Sequence, residues 1–294
     1  MSSGSTASPH MRTPAFDSWS PLVRKLWIQS SGLSNSANEQ LLLSAFHGVH
    51  HVALLSASLR MLASSIHTHV ARHQRQLVEG QSNPSSDAFT HLHSITLITN
   101  TFRYEWHFLL GLRLCNGSEF LKNITHLRIH NMTVSAYCPH NLLTSLTHLA
   151  LPYLDLGNDF SCVQDRGALV RPLRLPEGII KHPSLRVVVL TVDERKWLDN
   201  PYYQTSRPNA SGDSAKVAAG SPRESFRKLV QWTQKCDKRI HVVLSPRSDT
   251  NPCQEWADAA RGCAPSVWEV AAKERMDGSH GAGLPEVFPK RRYR

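Results

Sequence analysis

No stretch of this 294-residue chain approaches the roughly 18 consecutive apolar residues of a membrane-spanning helix. The opening residues, MSSGSTASPHMRTPA, are rich in serine and lack the apolar core of a secretory signal. An intracellular setting, cytoplasmic or nuclear, with no membrane partner is therefore expected. The six cysteines, Cys115, Cys138, Cys162, Cys236, Cys253 and Cys263, contain no C-x-x-C pair and read as reduced thiols in that setting. The sequons at Asn116, Asn123, Asn131 and Asn209 are then irrelevant. Also missing are the G-x-S-x-G elbow, the phosphate-binding G-x-x-x-x-G-K-[ST], G-x-G-x-x-G and H-E-x-x-H. The expectation is a protein that is not an enzyme and has no cofactor.

Charge is sparse as well, 19% of residues, and the balance is positive at +10. Lys290, Arg291, Arg292 and Arg294 supply four of those charges. Such a tail reads as a nuclear-import signal, a weak contact for nucleic acid or acidic lipid, or a solvated disordered end. The remaining charge is dispersed, with no Lys/Arg stripe interleaved with aromatics, so specific nucleic-acid binding is not favoured. Ser221-Pro222-Arg223 and Ser245-Pro246-Arg247 match a proline-directed kinase site, a pattern that chance also supplies.

What the chain does have is a recurring pattern: apolar, two others, apolar, one other, apolar. It occurs at Val23/Leu26/Ile28, Val49/Val52/Leu54, Leu92/Ile95/Leu97, Ile124/Leu127/Ile129, Leu146/Leu149/Leu151 and Leu185/Val188/Leu190. This L-x-x-L-x-L core marks the strand of a leucine-rich repeat, a unit that buries its apolar face only by stacking on its neighbours. Successive triplets start 26, 43, 32, 22 and 39 residues apart, so two gaps fit a repeat of roughly 20–29 residues and three require insertions. ITHLRIHN (124–131) and SLTHLALP (145–152) carry Thr-His-Leu at the same phase. An ordinary α/β domain with buried strands that read alike is the alternative.

Return paths between strands fit helices at 37–47, 57–78 and 102–114, with a short one at 176–181 opened by Pro176. Helix 224–238 and strand 240–244 follow, then two short helices over 253–275 broken at Gly262 and Pro265. The expected organisation is a disordered N-terminus at 1–19 and a repeat domain at 20–276. That domain carries a flexible insertion at 199–223 and a helical cap at 253–276, and a disordered basic tail follows at 277–294. The predicted fold class is α/β: an irregular leucine-rich-repeat-like solenoid, mostly parallel sheet backed by helices, with a C-terminal helical cap anchored by Trp256 and Trp268.

SLTHLAL (145–151), LPEGIIKHPSLRVVVL (175–190), DKRIHVVLSP (237–246) and EWADAARGCAPSVWEVAAKERM (255–276) together resemble the repeat region of F-box/leucine-rich-repeat-like proteins of mushroom-forming fungi. The resemblance covers roughly half the chain. It implies a solenoid that recognises proteins and, in full-length members, a helical F-box that docks the Skp-type adaptor of a ubiquitin ligase. No segment here matches an F-box, so a Skp-type adaptor is expected only if a cryptic one exists.

Seventeen histidines invite a metal reading, and His67, His69 and His73 form H-x-H-x3-H. Positions i and i+2 of a helix do not face each other, so no metal is expected there. His50/His51 and His91/His93 read as ordinary polar residues. In a strand, alternate side chains face opposite ways. If the triplets point inward, one exposed row is Trp27, Ala53, Thr96, Arg128, Ala150 and Val189. The next is Lys25, His51, Ser94, His126, His148 and Val187. Tryptophan and arginine are enriched at binding hot spots. Trp27, Lys25, His51, His126, Arg128 and His148 are the expected partner-binding residues, unless helices cover this face. The function expected is non-catalytic protein recognition by a diverged or truncated relative of ubiquitin-ligase substrate receptors. A nuclear scaffold using the basic tail and an enzyme on an ordinary α/β fold are the alternatives.

Overall fold

The computed structural model of the chain describes residues 22–29, 43, 48–78, 90–111, 117–133, 136–154, 175–194, 222–245 and 251–277. The expected tails 1–19 and 277–294 lie outside the described residues, save Asp277 at a helix end. So do residues 199–221 of the insertion and, save Leu43, the helix expected over 37–47.

The chain is α/β. Its strands are β1 (Lys25–Ile28), β2 (His51–Leu54), β3 (Ser94–Leu97), β4 (His126–Ile129), β5 (His148–Pro152), β6 (Val187–Asp193) and β7 (Ile240–Ser245). They follow one another in chain order in a seven-stranded sheet. The pairs β1–β2, β2–β3, β5–β6 and β6–β7 are parallel. Each apolar triplet falls on one of the first six strands. Its last two members alternate along the strand and so share a face, and pairing sets triplet against triplet: Val52 opposite Ile95, Leu54 opposite Leu97, Leu149 opposite Val188, Leu151 opposite Leu190. All eight are at most 2% exposed, and Val49, Leu92, Ile124, Leu146 and Leu185 are buried just ahead of their strands.

The helices are α1 (Leu59–Val78), α2 (Arg103–Leu110), α3 (Gly117–Lys122), α4 (Pro222–Cys236), α5 (Pro252–Arg261) and α6 (Val267–Asp277). Single 3-10 turns occur at Ser56–Ser58, Pro139–Leu142 and Ile179–Lys181. The chain forms two compact units, residues 1–127 with 136–146, and residues 128–135 with 147–294.

In the first unit α1 buries Leu59, Leu62, Ala63 and Ile66, the stripe that helical spacing dictates, and packs on α2. On α2, Trp106 and Leu109 are fully buried, and the Trp106 indole donates to Thr101 Oγ1 at 2.6 Å. The Phe102 N–H donates to the Glu105 carboxylate at 2.8 Å, satisfying one of the orphan donors at the helix start.

In the second unit α4 buries Phe226, Leu229, Val230 and Thr233 and packs beside β7. It starts at Pro222, two residues ahead of the start expected at 224. Asn251 caps α5 by accepting the Cys253 N–H at 3.0 Å. Gly262, at φ 76°, ends it in the left-handed conformation, and the Cys263 N–H reaches back to the Asp258 carbonyl at 2.8 Å. Ser266 and Glu269 form a reciprocal capping box at the start of α6. Val267 and Ala271 of α6 then bury against Ala150, Val189 and Val243. The two C-terminal helices fall where the sequence places them. Their role differs from an end cap: α6 lies across a face of β5, β6 and β7.

Candidate functional site

In the first unit Lys25 is exposed, and Trp27, His51 and His126 are half-buried. The Trp27 indole donates to Gln29 Oε1 at 3.3 Å. His51 Nε2 lies 2.8 Å from Thr96 Oγ1 on the neighbouring strand, and His126 Nδ1 lies 2.8 Å from Thr125 Oγ1. The exposed row expected through Trp27 does not extend along the strands, because Ala53 and Thr96 are buried.

In the second unit Arg128 is 9% exposed, and its Nη2 donates to Glu255 Oε1 at 2.6 Å. Ala150 and Val189 are fully buried beneath α6. Arg128, Ala150 and Val189 therefore do not form the expected exposed row. The cause is the C-terminal helix pair, which brings Glu255 onto Arg128 and lays Val267 over the two apolar residues. His148 is half-buried, with its ring edge-on to Trp268 at 5.5 Å and its Nδ1 2.8 Å from Thr147 Oγ1. Burial and then Arg186 hold its pKa below the ordinary imidazole value. His130, just after β4, is pushed down to about 3, by burial first and by Arg128 second. Its Nε2 is enclosed without a hydrogen-bond partner.

Strand pairing also brings together histidines that the sequence presents as unremarkable. The His93 N–H donates to the His50 carbonyl, and the His50 N–H to the Arg24 carbonyl, so these residues stand in register ahead of their strands. The rings follow: His50 lies 5.6 Å from His91 and 5.4 Å from His93, and His93 lies 6.4 Å from His126. Burial, then Arg24, His93 and His91, lower the His50 pKa. The signal was present in Val49-His50-His51-Val52, Leu92-His93-Ser94-Ile95 and Ile124-Thr125-His126-Leu127. A histidine between the first two triplet positions is set beside its counterpart once the strands align. Among the described residues no group of three or more His, Cys, Asp or Glu side chains is arranged to hold a metal ion. The cluster is a set of adjacent proton acceptors and ring faces. His67 on α1 is half-buried, and the side chains of His69 and His73 lie outside the described residues.

The second unit carries an open groove of about 500 Å³, walled by Leu175, Pro176, Ile180, Lys181, Trp232 and Cys236. Asp237 sits at its edge, but Arg239 engages it: Nε and Nη2 donate to the carboxylate, holding its pKa below the usual range. The same guanidinium donates to the Leu185 carbonyl at 3.1 Å and to the Ile180 carbonyl. This carboxylate is thus a structural anchor rather than a free base. Burial pushes the Cys138 thiol up to about 12, which leaves it protonated and unreactive at neutral pH.

No family model, curated protein or solved structure matches the chain. Among the described residues no helix is long and apolar enough to cross a membrane. What the side chains can do is therefore read from their own placement. Of the expected binding residues, Lys25 is exposed and Trp27, His51 and His126 are half-buried. Arg128 and His148 are held by packing within the fold.

Proposed function

We propose that this chain is a non-catalytic protein-recognition module, an irregular leucine-rich-repeat-like solenoid related to the substrate receptors of ubiquitin ligases. One observation carries the reading. The six apolar triplets fall one per strand on strands that neighbour each other in chain order, so each unit buries its apolar face against the next. The binding residues assigned are Lys25, Trp27, His51 and His126. The groove wall is largely apolar, which suits recognition, although Glu177 and Lys181 also line it and Asp237 is engaged by Arg239.

Affinity capture of the tagged chain from its native extract, with mass spectrometry of the retained proteins, tests this reading. Specific retention of Skp-type adaptor and cullin subunits supports the ligase-receptor role. Reproducible retention of other proteins supports a free-standing recognition module. Retention of nucleic acid alone, lost at high salt and on deleting residues 289–294, replaces it with the scaffold alternative. Retention of nothing specific removes it.

A further inference from the structure

Three of the five large apolar side chains exposed among the described residues lie on α2 and its N-cap: Phe102 at 44%, Tyr104 at 62% and Phe108 at 39%. The Phe102 and Tyr104 rings lie nearly parallel, 11° apart, with centroids at 5.9 Å. Tyr104 and Phe108 are one helical turn apart and so share a stripe. The Arg60 guanidinium of α1 lies over the Phe108 ring, 5.6 Å from its centroid. Arg103 and His107 form the adjoining stripe, both exposed. The acidic residue of this helix, Glu105, is 5% exposed and bound to the Phe102 N–H. The outward face of α2 is thus aromatic and cationic, without an exposed carboxylate of its own.

Folding does not require this face. The helix already buries Trp106 and Leu109, and polar residues outward would serve solubility better. Aromatic and arginine side chains are the types that concentrate at binding hot spots.

We propose that the aromatic–arginine face of α2 is a docking surface for an acidic segment of a partner protein, one that sets apolar anchors between Asp and Glu side chains. Charge complementarity names the occupant: the charged groups presented are Arg60 and Arg103. An arginine guanidinium pairs bidentately with a carboxylate, and Arg60 and Arg103 are both exposed. The apolar anchors meet Tyr104 and Phe108. A protein fits better than a single-stranded nucleic acid, because Phe102 and Tyr104 already stack on each other and two arginines do not make a backbone-tracking groove. The surface shares no residue with the row assigned above, so either assignment stands if the other fails.

Fluorescence anisotropy of the full chain tests it with three labelled probes: a peptide alternating Glu with Trp and Leu, its Lys-for-Glu counterpart, and an oligo-dT strand. Binding of the Glu peptide alone is expected, weakened about tenfold or more by Arg103→Glu and by Tyr104→Ala. Arg261→Glu makes the same charge change in the other unit and is expected to leave it unchanged. Hydrogen exchange of the unaltered chain provides a second reading that needs no variant, with protection by the Glu peptide expected over residues 102–110. Equal binding of the Lys peptide, absence of binding, or protection confined elsewhere overturns the proposal. Preferential binding of oligo-dT at residues 102–110 overturns it in favour of nucleic acid.

Discussion

Across the face opposite the triplet core, the first unit presents Lys25, Trp27 and His51, exposed or half-buried, whereas the second presents Ala150, Val189 and Val243, closed beneath α6. One strand pattern has been used in two ways. At Lys25, Trp27 and His51 the strand keeps a wet side, while Ala53, Ser94 and Thr96 of the same unit are buried. In the second unit the residues between the triplet positions are small or β-branched and apolar, a helix settles on them and the strand is buried on both faces, as parallel strands commonly are. The second unit buries more apolar surface through that closure.

Val189→Asp is the harshest test of this contrast. It sets a carboxylate in the seam between sheet and α6, with an expected loss of at least about 4 kcal/mol or failure of the second unit to fold, read by urea denaturation. Next is Glu255→Ala, which leaves the buried Arg128 guanidinium unpaired and is expected to cost about 3 kcal/mol. Replacing both partners by Arg128→Met with Glu255→Leu should recover most of that loss. Recovery by the double variant would show that the pair fills space, and its absence would show that the charge pair itself secures α5.

Acid sharpens the comparison further. His130 titrates near 3 in the fold and near its ordinary value of 6.5 when unfolded, and His50 is lowered in the same direction. Above pH 6.5 these rings are neutral in both states and their contribution is complete. As pH falls below 6.5 the unfolded chain takes up protons that the folded rings refuse, and stability drops. By about pH 4 the His130 contribution should have fallen by on the order of 3 kcal/mol, and His130→Asn should flatten the decline in denaturation midpoints. Lys25→Ala should have the smallest effect, within about 0.5 kcal/mol on stability, while reducing capture of a partner. Unchanged capture would remove Lys25 from the binding row.

Much of the fold was legible because it is local. The triplets locate six strands, and IHVVL locates the seventh. Gly262 and Pro265 split the C-terminal helices where the chain indeed breaks, at Arg261 and again before Val267. The six-residue α3 and the turn at Pro139–Leu142 escaped, being too short to show a period. The site was harder to read. Arg128 meets Glu255 across 127 residues, a pairing no local pattern announces. The covered face did leave a trace: Val187-Val188-Val189-Leu190 and Val242-Val243-Leu244 are apolar without alternation, the mark of strands buried on both sides. The histidine cluster left one too: His50 and His93 each follow the first apolar residue of their triplet and His126 stands one position later, a pattern that acquires meaning only once the strands are set in register.

The Arg239 clamp bears on how this sequence is free to change. It grips Asp237, the Leu185 carbonyl and the Ile180 carbonyl ahead of β6 and β7, while its own carbonyl accepts the Val188 N–H at 2.8 Å. The alignment of Val188 with Ile240 is therefore decided at the entry to both strands, not by the length of chain joining them. A single loss at Arg239 is expected to release the register between β6 and β7.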